Sequence, residues 1–196
     1  MTLTSKKDLL LNAAISLIQK NGFEKTSVSQ IVNEAGVAQG TFYLYFKSKN
    51  SLVSAIAKMI FEEQLSNIKD AYSELDKDLN KLLKTMIHTT FDITEKYKDM
   101  ISFLYSGFAY DKTFDTWEEI YRPYYTWVEE ILSDFQSENW IHSKCSVSNL
   151  ANFVIGLIEH GAENFFMTTL GSNSVETVKN DLLIFLTDSL NVNASK

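Results

Sequence analysis

The chain has 196 residues, of which 45% are hydrophobic, and its formal net charge is −7. One proline and seven glycines leave few breaks, and no alternating run of β-branched residues bounded by a tight turn is present. These features exclude a fold built from many short strands and favour long helices. An all-α protein of about nine helices is therefore predicted.

The sequence carries no signal for export, membrane insertion or metal binding. No apolar segment follows Lys6 and Lys7, and no run of about 18 uncharged apolar residues occurs, so neither a signal peptide nor a transmembrane helix is expected. Cys145 is the only cysteine, which excludes an internal disulfide and a multi-cysteine metal site. We therefore expect a cytoplasmic protein that needs no membrane, metal or cofactor.

Positive charge is concentrated at the N-terminal end of the chain. Residues 1–58 contain seven lysines and three acidic residues, a net charge of +4, whereas the remaining residues carry −11. A basic end on an acidic body can approach DNA with that end alone. The alternative that the charge count leaves open is a chance cluster of lysines on a solvated face.

Two helices are predicted in the first 35 residues. Apolar residues recur at helical spacing from Ser5 to Asn21, and Gly22 follows as a helix stop. Ser27 and Gln30 then stand at the spacing of a capping box, which predicts the start of the second helix.

A glycine turn and a third short helix come next. Gly36 fits the left-handed position just past a helix end. The segment from Gly40 to Phe46 turns Phe42 and Phe46 inward and leaves its polar side chains exposed. Two short helices joined by such a turn form the helix-turn-helix pattern of DNA-binding proteins.

A long fourth helix is predicted to begin at Ser48 and to continue without a breaker to about Glu74. It would act as a rigid connector rather than a flexible linker. The chain is accordingly divided into a helix-turn-helix domain, residues 1–50, and a helical domain, residues 51–196.

The C-terminal domain is predicted from periodicity and composition. Helices are expected from Leu79 to about Glu95 and from Tyr97 to about Phe108. Residues 103–127 contain ten aromatic side chains, and Arg122-Pro123 is expected to kink or break a helix among them. Helix resumes over residues 124–137.

The last two predicted helices, about residues 147–168 and 174–190, suit a dimer interface. The first of them is apolar on nearly every side, so a protein in water must cover two of its faces. Its own core can cover one face and a second subunit the other. Gly156, Gly161 and Ala162 would let a partner helix approach closely, which predicts a homodimer joined by a four-helix bundle.

The N-terminal motifs resemble the DNA-binding domain of the TetR family of bacterial transcriptional regulators, over roughly residues 8–53. The resemblance is carried by Asn-Gly-Phe at 21–23, Thr-Ser-Val-Ser-Gln-Ile-Val at 26–32, Ala-Gly-Val at 35–37 and Gly-Thr-Phe-Tyr-Leu-Tyr-Phe-Lys-Ser-Lys at 40–49. It implies a homodimer whose C-terminal domain binds an inducer, and most family members are repressors. The chain departs from the family at Ala38, usually a capping Ser or Thr, at Tyr45, usually His, and at Asn50, usually Glu.

Hydrogen-bonding and basic side chains of the helix-turn-helix are the candidates for DNA contact. Tyr43 and Lys49 match positions that commonly touch the phosphate backbone in the family. Gln39 can bond bidentately to adenine, and Thr41 can meet a thymine methyl group. Because residues 1–58 contain no arginine, we expect an operator read through A·T-rich contacts, lysine and DNA shape. The full set is Thr26, Ser27, Gln39, Gly40, Thr41, Tyr43, Tyr45, Lys47 and Lys49.

The aromatic zone is the candidate wall of a ligand cavity, although ordinary core packing would explain most of its rings. Acidic residues among the rings, such as Glu118, would suit a lipophilic cation or else form an exposed charged edge. The candidate lining residues are Phe91, Phe103, Tyr110, Trp117, Glu118, Tyr121 and Phe165.

These features predict a TetR-like repressor that binds a pseudo-palindromic, double-stranded operator as a dimer and is released by a small hydrophobic inducer. The alternative is a constitutive or partner-regulated DNA-binding protein with a filled aromatic core. No glycine-rich phosphate loop, G-x-S-x-G or H-E-x-x-H motif and no nucleophile constellation supports an enzyme, so no catalytic residue is predicted.

Overall fold

The computed structural model describes residues 5–73, 77–108, 114–168 and 174–190. These residues form helices and contain no strand, which confirms the all-α prediction. Eight helices are present in this part of the chain, close to the nine expected. They are α1 (Lys6–Asn21), α2 (Val28–Glu34), α3 (Gln39–Tyr45), α4 (Ser51–Ser73), α5 (Leu79–Phe108), α6 (Phe114–Ser137), α7 (Val147–Met167) and α8 (Val175–Leu190).

The prediction of two helices between residues 79 and 108 is wrong, because α5 is continuous over 30 residues. No glycine or proline occurs between Leu79 and Tyr105, so the polar stretch near Glu95 contains nothing that stops a helix. The predicted break at Pro123 is also absent, since α6 runs through it. Proline removes one backbone donor, and packing of the rest of the helix outweighs that loss.

The chain forms two compact units. The first takes in the spans Met1–Ile60 and Asp99–Thr116, and the second takes in Phe61–Lys98 and Trp117–Lys196. Helices α4 and α5 therefore each contribute to both units.

The core of the first unit comes from apolar residues on several short helices. Helices α1, α2 and α3 contact one another. Leu10, Ala14, Ile31 and Phe42 are fully buried, as their helical spacing predicts.

The second unit has a larger core to which α4, α5, α6, α7 and α8 all contribute. Phe91 and Phe135 are its largest fully buried side chains, and Tyr124 is buried beside them in the same cluster. Across the described part of the chain, no helix has the length and apolar character needed to cross a membrane.

Candidate DNA interface and effector site

The start of α2 is fixed by local hydrogen bonds. The Ser27 hydroxyl accepts a bond from the Gln30 backbone amide, and the Gln30 side chain accepts one from the Ser27 backbone amide, which confirms the predicted capping box. Thr26 is buried, and its hydroxyl donates to the Gly22 carbonyl at 2.9 Å. Thr26 therefore supports the turn before α2, whereas Ser27 lies exposed at the surface.

The turn between α2 and α3 has the predicted geometry. Gly36 has a φ of 66°, in the left-handed region that glycine adopts without strain. The Val37 amide donates to the Val32 carbonyl at 3.0 Å, which closes the C-terminus of α2. Ala38 occupies the N-cap of α3 with extended backbone and makes no side-chain capping bond.

Helix α3 exposes a mixed polar and apolar surface above a buried ring. Phe42 is fully buried and anchors the helix, whereas Gln39, Gly40, Tyr43 and Tyr45 are exposed and Thr41 is half-buried. The structure brings these five base-contact and phosphate candidates onto one short helix. The helix begins at Gln39 rather than at Gly40 as predicted.

Leu44 was missed by the motif reading, although it is 81% exposed on α3. An exposed leucine between two tyrosines on a recognition helix can meet thymine methyl groups. Its position two residues from both Phe42 and Phe46 sets it on the opposite side of the helix from the buried rings. This spacing of Leu44 from Phe42 and Phe46 is the sequence feature that predicts its exposure.

The two lysines that follow α3 differ in environment. Lys47 is exposed. The Lys49 ammonium donates to the Phe23 carbonyl at 2.8 Å and lies 4.1 Å from the centre of the Phe23 ring. Because α4 begins at Ser51, Lys49 precedes that helix, and it joins the α3–α4 connection to the segment that follows α1.

The predicted ligand-lining residues are only partly brought together. In the second unit the Phe91 and Phe165 rings lie 6.4 Å apart, and Tyr121 packs against Phe61 at 4.1 Å. Phe103 instead belongs to the first unit, where its ring packs on Phe23 at 4.8 Å.

The other candidates do not join this ring cluster. Glu118 is exposed and forms an ion pair with Arg122 at 3.3 Å, as the charged-edge alternative expects. Tyr110 and the side chain of Trp117 lie outside the described residues.

A polar group inside the second unit was missed by sequence reasoning. Glu159 of α7 lies 3.4 Å from the Tyr121 hydroxyl through Oε2, and its Oε1 is buried without a hydrogen-bond partner among the described residues. Burial, and then the charge of Glu163, raises the pKa of the Glu159 carboxyl to about 8, while bonding with Tyr121 and Gln64 acts in the opposite direction.

Tyr124 lies in the same polar cluster. It is 2% exposed, and its hydroxyl has no hydrogen-bond partner in the described part of the chain. Burial raises the pKa of Tyr124, and the Glu159 charge acts in the same direction. Gln64 and Thr90, bonded to each other at 3.3 Å, are near enough to lower the pKa of Tyr124.

A signal for this cluster is present in the sequence of α7. Glu159 falls between Ile155 and Ala162 at helical spacing, and both of these are fully buried. A carboxylate in an apolar stripe indicates either a paired charge or a functional group. His160 and Asn164, the other polar residues near Glu159 on α7, are exposed and bond to each other at 2.9 Å.

Helices α7 and α8 expose a hydrophobic surface. Phe153 is 62% exposed, and Ile184 and Phe185 are each 59% exposed. Phe153 and Phe185 line a groove of about 600 Å³ together with Gly156 and Leu157. A monomer in water rarely retains several large apolar side chains in one groove, so the groove is a candidate interface.

The predicted roles of the small residues on α7 need one correction. A Cβ at Gly161 would lie 2.7 Å from Leu182 Cδ1, so this glycine allows close packing of α7 on α8 within the chain. Ala162 is fully buried in the core. Gly156 faces open space and stays available to a partner helix.

Among the described residues, no group of three or more His, Cys, Asp or Glu side chains could hold a metal ion. What the fold does define is a helix-turn-helix protein: a short exposed helix rests on two others in a basic unit, and a separate helical unit follows.

The chain belongs to the TetR family of bacterial transcriptional regulators. Residues 10–56 match the family model described as "Bacterial regulatory proteins, tetR family", and residues 83–190 match "Tetracyclin repressor-like, C-terminal domain". Together these matches confirm the resemblance seen in the N-terminal motifs and extend it to the C-terminal half.

Relatives in sequence and in structure agree with this assignment. YvdT, an uncharacterised HTH-type transcriptional regulator of Bacillus subtilis, is 40% identical over 95% of this chain and 96% of its own. The FadR regulator of Bacillus subtilis in complex with stearoyl-CoA superposes with a TM-score of 0.74 at 21% identity, over 92% of this chain and 97% of its own.

Thermus thermophilus FadR in complex with lauroyl-CoA gives a TM-score of 0.69 at 16% identity, over 97% of each chain. At these identities the two FadR structures show a shared fold.

Proposed function

We propose that this regulator is a cytoplasmic, dimeric repressor that binds a pseudo-palindromic operator and is released by a small hydrophobic inducer. Residues 1–50 form its DNA-binding domain and residues 51–196 its ligand-binding and dimerisation domain. The observation that carries the proposal is α3, which holds Phe42 in the core and presents polar side chains and Leu44 to solvent.

Base contacts are assigned to the exposed face of α3. Gln39 at its first turn can pair with adenine, while Thr41, Leu44 and Tyr45 provide apolar and hydroxyl contacts. A Cβ at Gly40 would meet nothing within 4 Å, so this position faces open space. Because glycine has no side chain, the backbone here can come close to the bases.

Phosphate contacts are assigned to Ser27, Tyr43, Lys47 and Lys49. The first three of these residues are exposed. Lys49 carries further donors beyond the one bonded to Phe23, so one ammonium can hold the fold and still meet a phosphate. Thr26 contributes to the interface through the turn that its hydroxyl stabilises.

Dimerisation is assigned to α7 and α8. The exposed Phe153, Ile184 and Phe185 supply the apolar area, and Gly156 allows a partner backbone to come near. A dimer places two recognition helices about 34–36 Å apart, the spacing of consecutive major grooves.

Ligand control is assigned to the second unit. Its aromatic rings around Phe91 and Tyr121 offer apolar contacts, and FadR proteins of the same fold were solved with acyl-CoA molecules. Ligand would favour a dimer with wrongly spaced recognition helices, so ligand and operator oppose each other reciprocally. A constitutive or partner-regulated DNA-binding protein remains the alternative to this part of the proposal.

Footprinting of the DNA beside the protein's own gene tests the operator, and Phe153→Asp tests the dimer. We expect two protected half-sites, and we expect Phe153→Asp to convert a dimer into a folded monomer that binds operator at least tenfold more weakly. Lys98→Asp, a charge reversal at an exposed position of α5 that does not line the groove, is the control. A single protected half-site, or full operator affinity of a monomeric Phe153→Asp, would contradict the proposal.

A further inference from the structure

Two buried polar atoms of the second unit lack a hydrogen-bond partner among the described residues. They are the Tyr124 hydroxyl oxygen and Glu159 Oε1. Tyr124 is almost fully buried in the core, which makes an unpaired hydroxyl unfavourable for folding. Native proteins keep such groups where a ligand or a reaction uses them, so the pair marks a candidate binding site.

A group of packed aromatic side chains lies beside the carboxylate. Tyr121, whose hydroxyl lies 3.4 Å from Glu159 Oε2, packs against Phe61 with ring centres 4.1 Å apart and against Tyr125 at 5.8 Å. The carboxyl also lies near enough to Tyr125 to raise the pKa of that phenol. Negative ring faces beside a carboxylate attract a cation that carries an apolar body.

No lysine or arginine in the described part of the chain forms an ion pair with Glu159, and the charge of a second carboxylate, Glu163, acts on it. An anionic head group at this place would face the Glu163 charge and would find no cation paired with Glu159. A neutral hydroxyl can bond to Glu159 while that carboxyl keeps its proton, whereas the ionised carboxylate is stabilised by a cation.

We propose that the inducer is a lipophilic ammonium or related N–H cation, whose nitrogen donates hydrogen bonds to Glu159 Oε1 and the Tyr124 hydroxyl. The rings of Phe61, Tyr121 and Tyr125 hold the apolar part. This inference rests on the proposed function, because it names the ligand class of the same effector unit. In this proposal the group that binds the positive charge is Glu159, and not Glu118, the exposed candidate from the sequence that pairs with Arg122.

Proton linkage predicts how the affinity of this site for a cation depends on pH. The pKa of Glu159 is about 8, so at neutral pH the free protein must release this proton before a carboxylate can pair with the ligand. Gln64, Thr90, Tyr121, Tyr124, Tyr125 and Glu163 are the polar and titratable groups that surround it. Affinity for the cation therefore rises as pH increases from 6 to 8, by up to about tenfold per pH unit.

Three probes that share one skeleton separate the head groups: 4-phenylbutylamine, 4-phenylbutanol and 4-phenylbutyrate. Calorimetric titration of the full-length protein at pH 7.5 is expected to show the amine binding at least tenfold more tightly than the alcohol, with no measurable binding of the acid. The amine is also expected to release a fluorescent operator duplex in an anisotropy assay.

Two variants locate the effect. Glu159→Gln is expected to bring the affinities for amine and alcohol within about threefold of each other and to remove the pH dependence. Glu118→Gln, at the exposed carboxylate paired with Arg122, should leave both unchanged. Tyr124→Phe removes only the hydroxyl and should lower the preference for the amine, which provides a second test if Glu159→Gln does not fold.

Several results would overturn the inference while leaving a ligand-controlled repressor intact. These are equal binding of amine and alcohol, an undiminished amine preference in Glu159→Gln, or release of the operator by lauroyl-CoA and not by the amine. Amine binding that leaves the operator complex unchanged would refute the inducer role. Failure of the unliganded protein to bind any operator would instead count against the proposed function, because the amine titration does not depend on DNA.

Discussion

The capping box of α2 and the Glu159 cluster differ in how far apart in the chain their polar side chains find partners. In the first unit, Ser27 and Gln30 satisfy each other across three residues. In the second, Gln64 bonds to Thr90 across 26 residues, and Glu159 retains an unpaired oxygen. Short-range pairs fix helix ends and therefore the shape of a surface, whereas long-range, incomplete pairs leave groups that a ligand can use.

This difference suits the two tasks of the ligand-controlled repressor that we propose. A DNA-reading surface has to be preorganised, and the capping box of α2 and the turn at Gly36 are complete before DNA arrives, although Ala38 leaves α3 without a side-chain cap. An effector site has to prefer its liganded form, and an unpaired carboxyl supplies that preference because ligand binding relieves its cost. If the unpaired oxygen of Glu159 costs free energy as well as lacking a partner, substitutions at the two places should change stability differently.

The largest expected effect concerns the pH dependence of stability in the second unit. The folded pKa of Glu159, about 8, lies above its ordinary value of 4.5, so the folded state keeps a proton that the unfolded chain has lost. The stabilisation present below pH 4.5 is therefore lost as pH rises towards 8. Relative to wild type, Glu159→Gln should gain at most about 1.4 kcal/mol of unfolding free energy per pH unit between pH 5 and 8.

Urea denaturation at pH 5.5, 6.5 and 7.5 measures this difference, with Glu118→Gln as the control for a surface carboxylate. A constant difference between Glu159→Gln and wild type across this range would show that the carboxyl titrates normally. The contrast between the two units would then be geometric only.

Lys49 departs from the short-range pattern of the first unit, since it bonds to the Phe23 carbonyl 26 residues away. Lys49→Ala should lower the unfolding free energy by about 1.5–3 kcal/mol, because a half-buried, charge-assisted bond and a cation–π contact are both lost. Lys47→Ala, an exposed neighbour, should change stability by less than about 0.5 kcal/mol.

Operator titrations at several salt concentrations complete the test. The logarithm of operator affinity falls linearly with the logarithm of salt concentration, and the steepness of this line is the salt slope. Replacing a lysine that contacts a phosphate should lower the salt slope by about 1. Equal stability of the two variants would mean that the Phe23 contact contributes little. An unchanged salt slope in Lys49→Ala would assign that residue to folding alone.

The extent of successful prediction follows the same division. The capping box at Ser27, the left-handed Gly36 and the uncapped Ala38 were all readable from neighbouring residues, and the structure confirms them. Local spacing carries such features because each depends on a single turn of backbone.

Features that depend on distant residues were harder to predict. The continuity of α5 past Glu95 is decided by burial of Ile93 and Tyr97 in the second unit, which a polar local sequence does not reveal. The Glu159 cluster joins four helices, and only its place in an apolar stripe was visible beforehand. Phe103, grouped with Phe91 by composition, instead packs on Phe23.

The smallest expected effect concerns the one helix start that local sequence left incomplete. Ala38 already has the extended backbone of an N-cap, with φ −69° and ψ 148°, and its carbonyl accepts from the Thr41 amide at 2.8 Å, but it has no side-chain oxygen for the first-turn amides of α3. Ala38→Ser should add a side-chain acceptor for these amides and raise stability by about 1 kcal/mol, or Tm by about 2–4 °C. Ala35→Ser, at the helical C-cap of α2, is the matched control and should bring no gain. A thermal melt that shows the same Tm for Ala38→Ser and wild type would mean that the serine does not cap α3, whose stability then comes from Phe42 in the core.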